Sequence, residues 1–496
     1  MGAEIQRESF TKADFDAFDE RLRAGLVALE QVLARPGFGE GERTIGAELE
    51  MFLVDEAGRP LAVGDQVLRR LGDERVTHEL GAFNVELNTD PVALAGTPFS
   101  RLGADIAATL ARIRGAAGAE GGRLAIVSVL PTFRQSDFRP STITQRPRYR
   151  ALAAGLRRLR QANPRIDIDG DEPLTIELGD VAMEAANTSF QIHLRVAPRE
   201  FAAFYNAAMI LTGPALALAG NSPTFLGHRL WHETRTALFK QAGDDRPADE
   251  TAERPPRVGF GTGWVRAGAH ELFAESVALH EPILPVVGDE DPIAVAQAGG
   301  VPRLSELILH HGTVWGWNRA IYHGKDGGHL RIELRALAAG PTLDDMLANA
   351  AFLVGGIIGL APSVGDLLPS FPFVFAERNF YRAARDGLDT ELAWPRQIAA
   401  APEKLRASDL VKRLLPIATL GLEQAGVASE EIDRYLGIIA ARATSGVTGA
   451  VWQRHTLAAL EAQGLSRDAA LTEMTARYMA AAEAGGPVHA WPVAAG

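Results

Sequence analysis

Four short stretches of the sequence carry polar residues at every second position. Glu48 and Glu50 lie in TIGAELEMFLV, and Glu86 lies between two asparagines in NVELN. The alternating polar residues of the other two stretches, FQIHLRV and HLRIELR, are Gln191, His193, Arg195, Arg331, Glu333 and Arg335. Because the side chains of a strand alternate between its two faces, each stretch presents these groups on one face.

If these strands are neighbours in one sheet, their carboxylates, one imidazole and the guanidinium groups face a common space. Glu79 joins the carboxylates because of its short spacing to Glu86. Carboxylates this close raise one another's pKa unless cations neutralise them. Oxygen ligands suit Mg²⁺, and a histidine among them also accepts Mn²⁺. Arginines on the same face suit a phosphate group, so the pattern indicates metal-assisted phosphoryl transfer.

Each group also has a purely structural explanation. An E-x-E pair is typical of the solvated face of a strand, and a single histidine is typical of a protein core. The R-x-E-x-R stretch is equally typical of a surface ladder of ion pairs. The occurrence of such groups in four separate strand-like stretches favours the functional interpretation.

The spacing of apolar residues predicts the elements that position these groups. Helices are predicted at 11–33, 100–115 and 342–360, and strands at 44–54, 123–130, 187–196 and 330–334. Thr342 is a suitable N-cap for the last of these helices, which is too short to span a bilayer. From about residue 403 to 485 the pattern is almost wholly helical. The sequence therefore predicts a mixed helix and strand protein with a helical C-terminal region.

Composition excludes several classes of protein. The chain has 496 residues, 47% of them hydrophobic, and a net charge of -12, so it is globular and has no general attraction to nucleic acid or anionic membranes. The absence of cysteine excludes disulfides and thiol chemistry. The N-terminus has no signal-peptide core, and no segment is expected to span a membrane. We therefore expect a cytoplasmic protein.

Two segments suggest local roles. The polar stretch at 241–257 is expected to be a mobile surface loop, because such a sequence is hard to pack without unpaired charges, and it is a candidate lid. Trp315 and Trp317 are expected to line a pocket or to lie in the core. The glycine cluster at 259–263 lacks the surroundings of a dinucleotide site and is discounted.

Five motifs follow one another along the chain: GAELEMFLVD at 46–55, VELN at 85–88, FQIHL at 190–194, NSP at 221–223 and HLRIELR at 329–335. Their order and spacing resemble the glutamate-cysteine ligase type 2 family of carboxylate-amine ligases. The first motif is usually richer in glutamate, and here Ala47 and Leu49 depart from it.

The resemblance implies an α+β fold like that of glutamine synthetase, in which an antiparallel sheet forms a funnel covered by helices. The funnel would hold ATP, Mg²⁺ ions and the carboxylate of an amino acid. We expect a catalytic domain at residues 1–395 and a helical region packed on it at 396–496.

The same resemblance implies a role for each site residue. The expected metal ligands are Glu48, Glu50, Glu79, Glu86, His193 and Glu333. Arg335 would contact the transferred phosphoryl group, with Glu333 beside it in catalysis, and Arg331 would lie near the nucleotide. The residues expected to contact the substrates are Gln191, Arg195 and Arg235. For Arg235, pairing with Glu233 is an equally good explanation.

The expected reaction is ATP-dependent formation of a γ-glutamyl amide through an acyl phosphate, most simply γ-glutamylcysteine from glutamate and cysteine, as in glutathione biosynthesis. The expected partners are small molecules, neither nucleic acid nor membrane, and a homo-oligomer is left open. Three alternatives remain: a ligase for another amine, a metal-dependent amide hydrolase, and a nucleotide-binding scaffold without turnover. The arginines disfavour the hydrolase, because they suit phosphate better than a peptide.

Overall fold

The computed structural model describes residues 5–177, 181–247, 251, 253–396 and 400–492. Its strands are β1 Thr44–Val54, β2 Val76–His78, β3 Asn84–Asn88, β4 Val92–Ala93, β5 Arg123–Ala125, β6 Arg165–Ile168, β7 Leu174–Glu177, β8 Phe190–Val196, β9 Thr224–Phe225, β10 His228–Arg229, β11 Asn318–His323, β12 His329–Leu334, β13 Glu391–Trp394 and β14 Glu403–Arg406.

Its helices are α1 Lys12–Leu33, α2 Gly64–Leu71, α3 Pro98–Ala119, α4 Pro147–Arg160, α5 Phe201–Ala219, α6 Thr234–Ala242, α7 Ala269–Leu279, α8 Pro292–Gln297, α9 Ser305–His311, α10 Leu343–Leu360, α11 Val364–Leu367, α12 Phe373–Asp386, α13 Ala407–Gln424, α14 Ser429–Ser445, α15 Gly449–Ala462 and α16 Arg467–Ala484.

One antiparallel sheet carries the polar strands. Its order is β11-β12-β8-β1-β3-β2, and β4 and β5 also pair with β1. The strands that contain the four polar stretches, β12, β8, β1 and β3, are therefore consecutive neighbours, as the sequence analysis required. The opposite face of each strand carries buried apolar residues, such as Leu49 and Met51 of β1, which anchor the sheet to the core.

Two predicted helices begin at capping residues, and Thr342 is the cap that the sequence predicted. Thr11 and Asp14 form a reciprocal capping box at the start of α1. Thr342 caps α10 by accepting a hydrogen bond from the Asp345 backbone N–H at 3.1 Å. The predicted helix at 100–115 lies within α3, which starts two residues earlier and ends later.

The strand predicted at 123–130 is shorter than expected and ends at Ala125. Beyond it, backbone carbonyls bond to other partners instead of a sheet ladder: Ile126 O accepts from the Tyr478 hydroxyl, and Val127 O accepts from the Thr188 hydroxyl. The β-branched composition therefore reflects burial in the core here, not strand pairing.

Two long apolar helices correct the expectation about membrane-spanning length. Within the described residues, the helical segments Pro198–Ala219 and Leu343–Ser370 are long and apolar enough to cross a membrane by length and composition. The share of their most apolar windows that is buried inside the protein is 89% and 83%, respectively. Both belong to the core, so their apolar surface is already covered by protein.

The C-terminal helices pack tightly on the rest of the chain. A Cβ atom added at Gly421 of α13 would lie 2.0 Å from the carbonyl oxygen of Gly355 in α10, and one added at Gly359 would lie 2.2 Å from Ile417 O. The two helix backbones therefore touch at positions where only glycine fits. The boundary predicted at 395/396 falls between the paired strands β13 and β14 and stays a prediction.

The ends of the polar stretch at 241–257 are packed, contrary to the expectation of a mobile surface loop. Asp245 and Arg257 are both fully buried and form an ion pair of 2.7 Å, which Arg254 joins at 3.1 Å. The charges compensate one another, and this pairing was not visible in the sequence. Residues 248–250 and 252 lie outside the described residues, and the lid role stays a prediction.

Candidate active site

Three glutamates form one cluster on the polar face of the sheet. Glu50 on β1 lies opposite Glu86 on β3, and Glu79 lies between β2 and β3. One carboxylate oxygen of each lies within 4.8 Å of those of the other two. Burial and the neighbouring carboxylates raise the pKa of Glu50 to about 7 and that of Glu79 well above its usual range, and burial also raises the pKa of Glu86. The cluster needs either protons or a cation.

A second cluster lies on the adjoining strands. His193 on β8 is opposite Glu333 on β12, and its Nε2 atom is 2.9 Å from Glu48 Oε1 and 3.8 Å from Glu333 Oε1. Burial raises the pKa of Glu48, but the facing His193 outweighs this effect and lowers it to about 2. Glu48 and Glu50 are two residues apart on one strand, so the clusters are separated by about 7 Å.

Gln191 and Arg335 connect the two clusters. The Gln191 amide donates to Glu50 Oε1 at 2.8 Å, and its oxygen accepts from Arg335 Nη1 at 2.6 Å. The same Arg335 nitrogen lies 3.2 Å from Glu333 Oε2. One guanidinium therefore stands between the two groups of carboxylates, where it can neutralise charge that develops between them.

Arg319 is a site residue that sequence reasoning missed. Its guanidinium donates to both oxygens of Glu333, Nε to Oε2 at 2.8 Å and Nη2 to Oε1 at 2.9 Å. Burial raises the pKa of Glu333, but Arg319 and Arg335 outweigh it and hold the pKa well below its usual range. The alternation in NRAIYH was the available signal, but the apolar Ile321 lies between Arg319 and His323 on the inner face and interrupts the polar pattern.

Arg195 and Arg331 lie directly opposite each other on β8 and β12. The Nε atom of each is buried without a hydrogen-bond partner, and Arg195 Nη2 donates to the carbonyl oxygen of Glu40 at 2.8 Å. Like charges on directly opposed strand positions destabilise a sheet unless an anion lies between them. The pair therefore has the composition of an anion site, two residues along the same strands from Glu333 and His193.

A cavity of about 800 Å³ opens over the first cluster. The predicted site residues that line it are Glu48, Glu50, Glu79, Glu86, Gln191, Arg235 and Arg335. The predicted residues outside this lining are His193, Arg195, Arg331 and Glu333. They continue along the same face of the sheet, towards the hairpin between β11 and β12. The sheet thus offers a concave acidic region on one side of the second cluster and a cationic region on the other.

Arg235 lines the cavity, but most of its donors are engaged within the protein. Its Nε donates to Glu233 at 2.7 Å and Nη2 donates to Ala336 O at 2.5 Å. The alternative explanation, pairing with Glu233, is therefore present in the structure. The two tryptophans were expected to line a pocket or to lie in the core. Trp315 lines the cavity, and Trp317 lies in the core under the Arg235 guanidinium.

Both clusters fit a hard divalent cation. They consist of carboxylate oxygens with at most one imidazole, which suits Mg²⁺ and also Mn²⁺. The carboxyls of the first cluster have raised pKa values, which indicates that a positive charge is needed to ionise them together. The sequence prediction that these residues meet on one face of a sheet is confirmed, and their role as metal ligands stays a prediction.

A family model for glutamate-cysteine ligase family 2 matches residues 44–475. The chain belongs to this family. The family is one of ATP-dependent ligases that form a C–N bond, so the chain is an enzyme of that class. No curated protein sequence matches the chain.

One solved structure shares the fold of this ligase, and two others are similar to it more weakly. The glutamate-cysteine ligase of Francisella tularensis in complex with AMP has a TM-score of 0.54 at 10% identity, and the match covers 89% of each chain. The bifunctional glutathione synthetase of Pasteurella multocida has a TM-score of 0.43 at 12% identity over 94% of this chain and 54% of its own. The ligase PafA in complex with the ubiquitin-like protein Pup has a TM-score of 0.42 at 12% identity over 88% and 72%. The family match and the Francisella structure confirm the α+β, glutamine-synthetase-like fold expected from the sequence.

Proposed function

We propose that this ligase activates the side-chain carboxylate of glutamate with ATP and joins it to an amine, most simply the amino group of L-cysteine, to give γ-glutamylcysteine. The observation that carries the proposal is the Gln191–Arg335 link between two acidic clusters. One guanidinium then stands between the two clusters, of which the first would hold the carboxylate substrate and the second would face the nucleotide. An acyl phosphate has to be made and broken between those two sites.

Mg²⁺ would be held by Glu50, Glu79 and Glu86 in the first cluster and by Glu48, His193 and Glu333 in the second. Bound there, it would supply positive charge to the carboxylate and phosphate oxygens of the substrates. Mn²⁺ suits the same donors.

Four arginines would bind the phosphates and assist the phosphoryl transfer. Arg331 and Arg195 would bind the phosphates of ATP, because their opposed guanidiniums need an anion between them. Arg335 would neutralise the transferred phosphoryl group while the glutamate carboxylate attacks it, and Arg319 would hold Glu333 in place during that step. The walls of the cavity would limit the access of water to the acyl phosphate and so its hydrolysis.

The amine then attacks the activated carbonyl, and phosphate leaves. Cysteine is the simplest acceptor because the family resemblance favours it, although no motif of this chain selects it. We place the reaction in the cytoplasm, where ATP is available, and in the biosynthesis of glutathione-like thiols.

The experiment is ADP release by the purified protein with Mg²⁺ and ATP, with and without L-glutamate, against a panel of amines that includes L-cysteine. Products are identified by mass. We expect cysteine to stimulate ADP release and to give the mass of γ-glutamylcysteine. Stimulation by a different amine would identify that amine as the acceptor instead of cysteine, and the proposed acyl-phosphate mechanism would be unaffected. Amide hydrolysis without ATP would favour a hydrolase, and ATP binding without any product would favour a scaffold.

A further inference from the structure

A short 3-10 turn, Val181–Ala186, brings an acidic residue into the cavity without giving it a partner. Glu184 lines the cavity beside Ala185 and Asn187. Its Oε1 atom is buried and accepts no hydrogen bond, and no salt bridge to it exists among the described residues. This carboxyl is therefore the member of the cavity lining that the steps proposed above leave unused.

Two amide oxygens near Glu184 share its condition. Asn84 Oδ1 and Asn187 Oδ1 are both buried without a donor, and both residues line the cavity. Asn84 is almost fully buried, and its amide nitrogen donates to Ala185 O at 3.1 Å, which ties β3 to the turn. The Asn187 amide donates to the Met183 and Glu184 carbonyls. Three acceptors without donors in one wall of a cavity are costly unless a donor-rich group arrives.

This wall adjoins the first acidic cluster. Ser189, two residues after Asn187, donates its backbone N–H to Glu50 Oε2 at 2.7 Å. Asn84 lies two residues before Glu86 on the same face of β3, about 7 Å along the strand. A group bound by the wall would therefore lie next to the carboxylate that the clusters activate.

We infer that Glu184, Asn84 and Asn187 form the ammonium subsite of the amine substrate, and that Glu184 is the base that deprotonates it. The inference rests on the proposed ligase function. An alkylammonium group carries the donors that the three oxygens lack, and it cannot attack a carbonyl until it loses a proton. The other carboxylates that line the cavity belong to the clusters, apart from Glu74, which is exposed.

The step balances as follows. Glu184 carboxylate takes one proton from the ammonium and becomes the acid, which leaves a neutral amine with a lone pair. That lone pair forms the new N–C bond to the carbonyl carbon of the acyl phosphate. The bond between this carbon and the oxygen that bridges to phosphorus breaks, and its electron pair leaves with the phosphate. The phosphate takes the second N–H proton, and the products are the amide and inorganic phosphate.

The surroundings of Glu184 suit a base. Burial raises its pKa to about 8, and the charge of Arg160 on α4 opposes the effect. Arg160 is itself held by the carbonyls of Ala242 and Asp244. The adjacent helix α6 carries Arg235, engaged with Glu233, and Lys240, which lies over the Tyr381 ring. An arriving ammonium would therefore be the positive charge that ionises Glu184.

The test compares L-cysteine with hydroxylamine, whose nitrogen is largely unprotonated at neutral pH and needs no base. Glu184→Gln keeps the size of the side chain and removes its basicity. We expect γ-glutamylcysteine formation to fall by about 100-fold, the scale of a lost general base, while hydroxamate formation from glutamate and ATP stays within about threefold of wild type. Glu74→Gln, the matched cavity variant, is expected to change neither product.

The pH profile gives a second readout that a structural role would not move. The kcat/KM of the wild type for cysteine is expected to rise with pH towards about 8, and this limb is expected to vanish in Glu184→Gln and to return in part in Glu184→Asp. An equal loss of both products in Glu184→Gln, or no loss, would overturn the inference. Wild-type protein that makes no hydroxamate would instead refute the proposed function, and the inference with it.

Discussion

Glu50 and Glu86 lie directly opposite each other on the paired strands β1 and β3, and Glu79 completes their cluster. Burial and the charge of Glu86 raise the pKa of Glu50 to about 7. A carboxyl with a folded-state pKa above its unfolded value stabilises the fold below the unfolded pKa, and that contribution is lost as the pH rises through the folded pKa. The cluster therefore makes the stability of the fold depend on pH.

The first prediction concerns this linkage. In the presence of a chelator, the Tm is expected to fall between about pH 5 and about pH 8, because the clustered carboxyls have to ionise together. Mg²⁺ is expected to flatten this slope and to raise the Tm most at the higher pH. Differential scanning fluorimetry of the same protein in chelator and in Mg²⁺ gives the comparison. Parallel slopes in the two buffers would argue against a metal at Glu50, Glu79 and Glu86.

The second prediction concerns the other cluster. Glu48→Gln keeps the side chain that faces His193 but removes a carboxylate charge, so glutamate-dependent ADP release is expected to fall by about 100-fold or more. The circular dichroism spectrum and the Tm are expected to stay close to those of the wild type. Glu473→Gln, which changes an exposed glutamate on α16, serves as the control. Full activity of Glu48→Gln would remove the argument that this cluster holds a catalytic metal.

The third prediction concerns the nucleotide. Arg331→Ala is expected to raise the KM for ATP by about tenfold, the value of one charge-assisted hydrogen bond, with a smaller effect on kcat. Arg477→Ala, on the exposed surface of α16, is the matched control. An unchanged KM would place the phosphates elsewhere on the sheet.

A neighbouring pair of imidazoles refines this prediction. His323 and His329 face each other at the hairpin end of β11 and β12, with ring centroids 4.7 Å apart, two residues beyond Arg331. His329→Ala is expected to weaken the binding of ADP but not that of pyrophosphate, because an aromatic ring stacks on the base. Isothermal titration calorimetry with both ligands measures this. Equal loss for the two ligands would assign His329 to the phosphates.

The fourth prediction concerns stability. Arg257→Met leaves Asp245 buried without its main partner and is expected to lower the free energy of unfolding by about 3–5 kcal/mol. The double variant Asp245→Asn/Arg257→Met is expected to recover part of this loss, because no lone charge remains buried. Urea unfolding of both variants measures the difference. Arg477→Ala, in an exposed ion pair, is expected to cost less than about 1 kcal/mol.

The site residues that could be predicted from the sequence are those that alternate along a strand. Glu48, Glu50, His193 and Glu333 were visible because a period of two places them on one face, and neighbouring strands then bring them together. Glu184 lies in a 3-10 turn that has no such period. Its isolation from any partner is a property of the folded cavity, so no local pattern marks it.

Ion pairs between residues that are distant in the chain could not be predicted from the sequence. Arg319 joins Glu333 across a hairpin, and Asp245 joins Arg257 across the ends of a polar stretch. The sequence shows that each charge exists, but the cancellation of charges depends on tertiary contacts. The membrane-spanning length of α5 and α10 was also missed. Their burial in the core shows why length and composition do not decide the matter, because a core helix and a membrane helix share both.

The close contact between α10 and α13 also has a consequence for folding while the chain is being synthesised. α10 leaves the ribosome well before α13 and α14, which cover it, so its apolar surface stays without its final cover until about residue 445 has been made. Nascent chains stalled before that point expose a segment that resembles a membrane anchor. Such chains are the species of this protein most prone to aggregation and to capture by chaperones or membrane-targeting factors.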